Sequence, residues 1–403
     1  MSKIEDLIRQ YCPNGCEWKR LGDVCSFITG FAFKSNTFHT EQSEGLIGIV
    51  KTTNIQGMNI SEEKMVYVDI NAYPKLKIDS YLIPKGRIVI GMSGTIKVGV
   101  NNNDTEYLLN QRVGMFVPNE SVLSNAYLKH LLHMVVKNFN SITDDGSVKN
   151  LSSDNIKNFQ IPIPPLPIQK EIVRILDEFT ELEKELEKEL EMRKKQYEWY
   201  RDELLTFGDG VERKTIRDVC LKIVSGGTPK SSRSDYYGGN HPWLRTQEVN
   251  FNQIDETSMT ITDDGLNNSS AQYIPAWSVI VAMYGATVGR VAYNSIPLTT
   301  NQACCNLIID DKKVIYKYVF YWLSSQYEYI KSLGRGSQTN INADTVKNLD
   351  IPVPSLQEQQ RIVEILDTFD TLTTDLTKGL PAEIKMRHMQ YEYYRDYLFG
   401  LLK

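Results

Sequence analysis

The chain carries one set of motifs twice, in the same order, and this repetition restricts its architecture more than any other feature. IPIPPL at Ile161–Leu166, followed by IVRILDEF at Ile172–Phe179, returns as IPVPSL at Ile351–Leu356 and IVEILDTF at Ile362–Phe369, an offset of 190 residues. Met192, Arg193 and QYEWYRD at Gln196–Asp202 return as Met386, Arg387 and QYEYYRD at Gln390–Asp396, where the offset is 194. Weaker echoes precede these segments: Asp23–Cys25 with Asp218–Cys220, Met92 and Gly94 with Met283 and Gly285, Gly146–Ser147 with Gly336–Ser337. The chain therefore reads as globular part, long helix, globular part, long helix.

Spacing identifies the helices. Apolar residues at 172, 175, 179, 182, 186, 190, 197, 200 and 204 recur in steps of three and four, with only Arg193 interrupting the series, which is a coiled-coil seam. The second copy runs through 362, 365, 369, 372, 376, 380 and 384 and contains one additional four-residue step, coinciding with Gly379 and Pro381. A straight helix tolerates that pair badly, so a kink near 379–381 is expected, with Pro381 restarting the helix. Both helices follow proline-rich extended segments, which mark domain boundaries. The expected organisation is a short helical segment over 1–17, a globular domain over 18–165, a helix over 166–207, a second globular domain over 208–355 and a helix over 356–403. Short β-rich runs such as Arg87–Ile90 and Ser278–Ala282, with helical patterns at Ala126–Asn138 and Tyr316–Leu333, make the class α+β without regular βαβ alternation.

Composition excludes several classes. The longest apolar runs are six residues, Val279–Tyr284 and Tyr318–Leu323, whereas a bilayer helix needs about twenty. The six cysteines are sparse and no secretory pattern opens the chain, so reduced thiols and a cytoplasmic location are expected. Cys12, Cys16 and Cys25 lack a fourth ligand at zinc-site spacing. The net charge of −5 hides its distribution: 166–207 and 356–403 together carry −6, leaving +1 elsewhere and room for basic loops.

Catalytic patterns are not found. Gly226–Ser231 lacks the Gly-Lys junction of a phosphate-binding P-loop, and the Pro164-Pro165 pair is preceded by Ile163 rather than the Asn or Asp of an amino-methyltransferase loop. The five histidines form no metal pattern, His130 and His133 lie in an apolar helical pattern, and no nucleophile elbow is present.

The sequence instead carries recognition chemistry, repeated. One loop of each domain joins glycine to hydroxyls and cations: Gly30, Lys34 and Ser35 in the first, Gly227, Thr228, Lys230 and Ser231 in the second. Exposed backbone N–H groups, hydroxyls and ammonium groups suit phosphate oxygens. Lys51, Thr52 and Asn54 match Arg245, Thr246 and Gln247, bringing cations and amides suited to base edges after a short strand. The mixture of Gly, hydroxyl and cation recurs at Ser93, Thr95 and Lys97 with Tyr284, Thr287 and Arg290, and at Ser147 and Lys149 with Arg335, Ser337 and Gln338. Asn110, Gln111 and Arg112 with Asn301 and Gln302 add amides that serve either base edges or loop bracing.

Taken end to end, these pieces resemble the DNA specificity subunits of type I restriction-modification systems. The resemblance rests on the Ile-Pro-x-Pro-x-Leu segments leading into Gln-x-x-Ile-Val-x-Ile-Leu-Asp-x-Phe, on the two aromatic heptapeptides, and on SGGTP at Ser225–Pro229 with Pro242–Leu244. It implies that each globular part is a target recognition domain reading one half of a split, asymmetric double-stranded DNA site. It implies further that the helices pack antiparallel, with pseudo-twofold symmetry, as a spacer in a prokaryotic cytoplasm. Two methyltransferase subunits carrying S-adenosylmethionine would dock on the helices, and restriction subunits using ATP and Mg can join; this chain itself would bind no cofactor and catalyse nothing. Tyr197, Trp199, Tyr200, Arg201, Tyr391, Tyr393, Tyr394 and Arg395 are the candidate partner-facing residues. Two other readings remain open at this point: a coiled-coil adaptor with two binding domains and no DNA, and the specificity part of a fused methyltransferase or nuclease. Deleting Gly379–Ala382 is expected to change the preferred spacer or abolish assembly; methylome sequencing that returned an unchanged spacer would contradict this.

Overall fold

The computed structural model describes residues 3–142, 150–334 and 340–403. Its principal helices are α1 (Lys3–Tyr11), α2 (Asn125–Ile142), α3 (Leu166–Leu205), α4 (Tyr316–Ser325), α5 (Leu356–Thr374) and α6 (Leu380–Gly400). The chain divides into two compact units, residues 1–185 with 384–403 and residues 186–383, so that α3 gives one half to each.

Each unit is α+β. In the first, a sheet ordered Val66–Asp69, Leu46–Val50, Tyr107–Leu109, Leu82–Ile83 accompanies a six-stranded sheet in which Val113–Pro118 lies between Cys25–Thr29 and Ile88–Gly91. The second repeats the plan, with Tyr237–Leu244 beside Leu298–Thr300 in one sheet, and Cys304–Ile309 between Cys220–Ser225 and Val279–Ala282 in the other. Ile88–Ile90 and Val279–Ala282 are fully buried, which is why they read as continuous apolar runs rather than alternating ones. One parallel pair in each unit positions the candidate loops: Ile49 with Leu108, and Trp243 with Thr299. Parallel pairing sends the carboxyl ends of both strands, and the loops after them, to one edge.

The proline-rich segments pair as two-stranded ribbons, Pro162 opposite Trp18 and Pro352 opposite Arg213, where a missing N–H costs no ladder bond on the free edge. The helix that follows each ribbon is tied to its own domain by a buried glutamine. Gln169 Oε1 accepts from Ser124 N at 2.9 Å while its Nε2 donates to the Val122 and Pro164 carbonyls at 2.7 and 2.8 Å. Gln359 repeats the set with Ile315 N, Lys313 O and Pro354 O at 2.9, 3.3 and 2.9 Å. At α5 Ser355 Oγ also caps the helix, accepting from Glu358 N at 3.2 Å.

Within each unit the paired helices run antiparallel. In the first, Phe179 stacks on Tyr394 at 5.0 Å and Glu183 meets His388 at 3.1 Å, so α3 rises as α6 falls. In the second, Tyr200 packs on Phe369 at 5.3 Å and Leu205 shares a core with Ile362. Two seam positions depart from the expected spacing. Leu182 is 44% exposed, because the polar Glu183–His388 contact takes the facing position. Leu376 is 73% exposed, because the helix breaks over 375–379. There Asp375 Oδ1 accepts from the Thr377 and Lys378 N–H groups at 2.7 and 3.2 Å, and a Cβ on Gly379 would collide with the Thr371 carbonyl. Pro381 sits in the first turn of α6, where its absent N–H is harmless.

Asp177 on α3 accepts from Lys129 Nζ at 2.7 Å and His130 Nε2 at 2.9 Å, both on α2. Burial would raise this carboxyl, but the two hydrogen bonds and the Lys129 charge outweigh it and hold it at about 2. Burial chiefly keeps His130 below its ordinary value, hence neutral, with Nδ1 accepting from the Tyr391 hydroxyl at 3.0 Å. The depressed carboxyl contributes stability above its unfolded value near 4, lost as the pH falls through about 2. Because Asp177 is 46% exposed, the Asp177→Asn variant is expected to lose only about 1 kcal/mol at pH 7, with wild type and variant converging in urea titrations near pH 2. A constant difference across that range would remove the linkage.

Candidate nucleic-acid interface

The loops that follow the parallel strand pairs gather the predicted residues. In the first domain Gly30 N donates to Val113 O at 3.1 Å and Gln111 N to Phe31 O at 3.0 Å, binding the Gly30–Ser35 loop to Asn110–Arg112. Asn110 N reaches Val50 O at 3.3 Å, one residue before Lys51, and Met92 N reaches Arg112 O at 2.8 Å, one residue before Ser93. The second domain uses equivalent bonds: Gly227 N to Thr300 O at 2.8 Å, Asn301 N to Leu244 O at 2.9 Å, Met283 N to Ala303 O at 2.8 Å. Each unit thus has one edge carrying four of the predicted loops. Ser147, Lys149, Arg335, Ser337 and Gln338 lie outside the described residues. Their flanks reach the same edge, since Asn150 bridges Ser93 and Asn340 Oδ1 accepts from Gly285 N at 3.3 Å.

Glycine is required where these loops touch. A Cβ on Gly30 would overlap the Asn110 and Leu109 carbonyl oxygens, and on Gly226 the Thr300 carbonyl, all of them backbone. A Cβ on Gly227 would meet the backbone of Ser270 and Ala271, and the Trp243 indole N–H donates to the Gly227 carbonyl at 2.9 Å.

Several predicted contact residues are occupied in holding the loops. Asn54 is buried; its Oδ1 accepts from Lys51 N at 3.0 Å and its Nδ2 donates to the Ser61 and Glu63 carbonyls at 3.2 Å, leaving nothing for a base edge. Glu248 plays the same part for Arg245 N at 3.1 Å and Ser258 N at 2.7 Å. Thr287 is buried and donates to Thr246 O at 2.8 Å. Thr52 packs its methyl beside Gly91, and Gln302 shares a hydrogen bond with the Thr228 hydroxyl.

The side chains left at the edge mix cations with hydroxyls, amides and an aromatic ring. Lys34, Lys97, Arg112 and Lys230 are exposed, with Ser35, Thr95, Gln111, Ser231, Gln247 and Tyr284 among them. Lys51 lies over the Phe38 ring at 4.6 Å. Arg290 donates from Nη1 to Asn250 Oδ1 at 2.6 Å, and Arg245 from Nη2 to Ser258 Oγ at 3.5 Å; the Nε of each is buried without a hydrogen-bond partner. Among the described residues none of these seven cations is in an ion pair, whereas Arg233 on the same loop is neutralised by Asp235 at 2.5 Å. Sequence reasoning missed Asn250 and Tyr73, whose hydroxyl accepts from Lys34 N at 3.0 Å; neither belongs to a repeated motif. Among the described residues no group of side chains suits a metal ion, and no helix is long and apolar enough to cross a membrane.

The partner-facing set divides. Trp199 and Tyr393, which occupy matching places, are 59% and 67% exposed, and Tyr394 is exposed beside Phe179. Met192 and Met386, seven residues before them on the same helix faces, are exposed as well. Tyr391 and Arg395 are corrections: the first is fully buried against His130, and the second, 4% exposed, pairs with Asp396 at 2.8 Å. Tyr197 and Tyr200 turn toward Phe369, and Arg201 pairs with Asp202 at 2.8 Å.

Exchanging Gly30 or Gly226 for Ala is expected to cost about 1–3 kcal/mol in thermal or urea unfolding by forcing main chains apart, while Gly208→Ala, in open space, is neutral. Equal effects at all three sites would refute the close-approach argument.

Comparison with known proteins accords with this geometry. The chain is 39% identical over 274 residues to the Escherichia coli type I restriction enzyme EcoR124I/EcoR124II specificity subunit, covering 64% of this chain and 67% of that one. In fold it is similar to a chain from a structure of the type I R-M system, at TM-score 0.61 and 17% identity over 96% of this chain and 98% of that chain. It is also similar to the type I restriction-modification system S subunit from M. genitalium, at TM-score 0.50 and 14% identity over 96% of both. The profile described as the type I restriction modification DNA specificity domain matches twice, over residues 13–192 and 208–386, and the chain belongs to that family.

Proposed function

We propose that this chain is the DNA specificity subunit of a type I restriction-modification complex, each unit reading one half of a split site. The observation that carries the reading is the paired loop edge: in both units glycines, hydroxyls and cations that have no ion-pair partner among the described residues collect where two parallel strands end. Cations without carboxylate partners are electrostatically available for phosphate, and the amides and guanidinium groups between them suit base edges. The two edges share their scaffold and differ in side chains: Lys51 stands where the second domain has Arg245, and Ser93 where it has Tyr284. Different side chains on one scaffold read different sequences, so the site is asymmetric.

In this reading the helices set the spacer and present the exposed pairs Met192 with Trp199 and Met386 with Tyr393 to two methyltransferase subunits. Those subunits hold S-adenosylmethionine; a restriction subunit, where one joins, holds ATP and Mg. The chain contributes position and selectivity.

Methylome sequencing of a host expressing this chain with its methyltransferase partner is expected to return a bipartite, non-palindromic motif; a palindrome, or no motif, would overturn the reading. For the assembled complex, Lys34→Gln with Lys97→Gln is expected to lower the slope of log affinity against log salt by about 1.8, at roughly 0.9 per lost phosphate contact. An unchanged slope would remove both lysines from the interface.

A further inference from the structure

Each recognition domain is joined to its helix by polar bonds that recur in both units, at one position through a different side chain. Besides the glutamine, the Tyr127 hydroxyl donates to Pro162 O at 3.0 Å in the first unit, and the Tyr318 hydroxyl to Pro352 O at 2.9 Å in the second. In that register His130 matches Tyr321, and both reach the equivalent carboxylate: His130 Nε2 to Asp177 at 2.9 Å, Tyr321 OH to Asp367 at 2.6 Å. A lysine adds an ion pair in each case, Lys129 to Asp177 at 2.7 Å and Lys317 to Asp367 at 2.6 Å. In the register of the tyrosines, however, Lys317 matches Ala126, not Lys129. A different donor, and a lysine from an inequivalent position, therefore converge on the same carboxylate in the two units.

Apolar packing alone holds such a joint shut but leaves its angle loosely specified; directional bonds to a fixed carboxylate specify one angle. A small rotation at the joint moves a loop edge along the duplex, where successive base pairs are about 3.4 Å apart. We propose that these joints, together with helix length, fix the number of base pairs accepted between the half-sites, with Asp177, His130, Asp367 and Tyr321 as positioning residues. The inference rests on the function proposed above.

The test uses the full chain assembled with its methyltransferase subunits and a set of duplexes in which the two half-sites are held constant and the spacer varies by one or two base pairs. The wild type is expected to methylate one spacing. Tyr321→Phe, which removes one hydroxyl and keeps the ring, and Asp177→Asn are expected to read the same half-sites while losing about tenfold of their preference for the native spacing. Tyr321→His, which supplies the donor found at the matching position of the first unit, restores the preference. Variants as strict as a strict wild type would overturn the joint's role and leave the proposed function standing. A wild type indifferent to both half-sites would overturn the function and the inference with it. If Asp177→Asn fails to assemble, Tyr321→Phe and its histidine rescue decide the matter; a stability loss without change in spacing preference counts against the proposal.

Discussion

A buried glutamine at the start of each long helix is the constraint from which the architecture follows. A proline-rich ribbon cannot supply the N–H groups that its neighbours' carbonyls require, and a helix beginning straight after it leaves backbone groups of the adjoining domain facing a dry junction. Gln169 and Gln359 answer both needs with one acceptor and two donors each. Leaving any of these groups unpaired costs more than the net gain of a typical hydrogen bond. The ribbon, the helix start and the domain helix are thereby locked as one body in each unit, and the strands beyond them inherit a fixed frame.

Within that frame, the parallel strand pair does the positioning. The loops stay in place because main-chain bonds join them to one another. Where the scaffold does recruit side chains, Asn54 and Glu248 close their own turns, while Thr287 ties its turn to the Thr246 carbonyl of the neighbouring loop.

The helices, their seams and the twofold plan were legible in the sequence because periodicity and repetition are local or statistical signals. The loops were legible as candidates, since glycine beside hydroxyls and cations suits phosphate oxygens as well as an ordinary turn. Which of their residues stay free was not legible. Asn54 looks as suited to a base as Gln247 until Ser61 and Glu63 fold back onto it. Tyr391 looks as available as Tyr393, yet two positions along a helix turn it by about 200° into the core. Lys129 and Lys317 show the same limit from the other side, reaching equivalent carboxylates from inequivalent positions that no alignment of the two copies would pair.

The sequence repeats and the folding units are out of step, because α3 lends its first half to one unit and its second half to the other. Severing the chain at the repeat boundary near residue 207 would not release two finished halves. The amino-terminal fragment would keep Phe179 and Ile172 but lose the Tyr394 and Leu398 that cover them, and the carboxyl-terminal fragment would keep Phe369 without Tyr200. Each piece would carry a bare apolar flank whose natural complement is a helix of the other's kind, so each folding unit needs chain from both repeats.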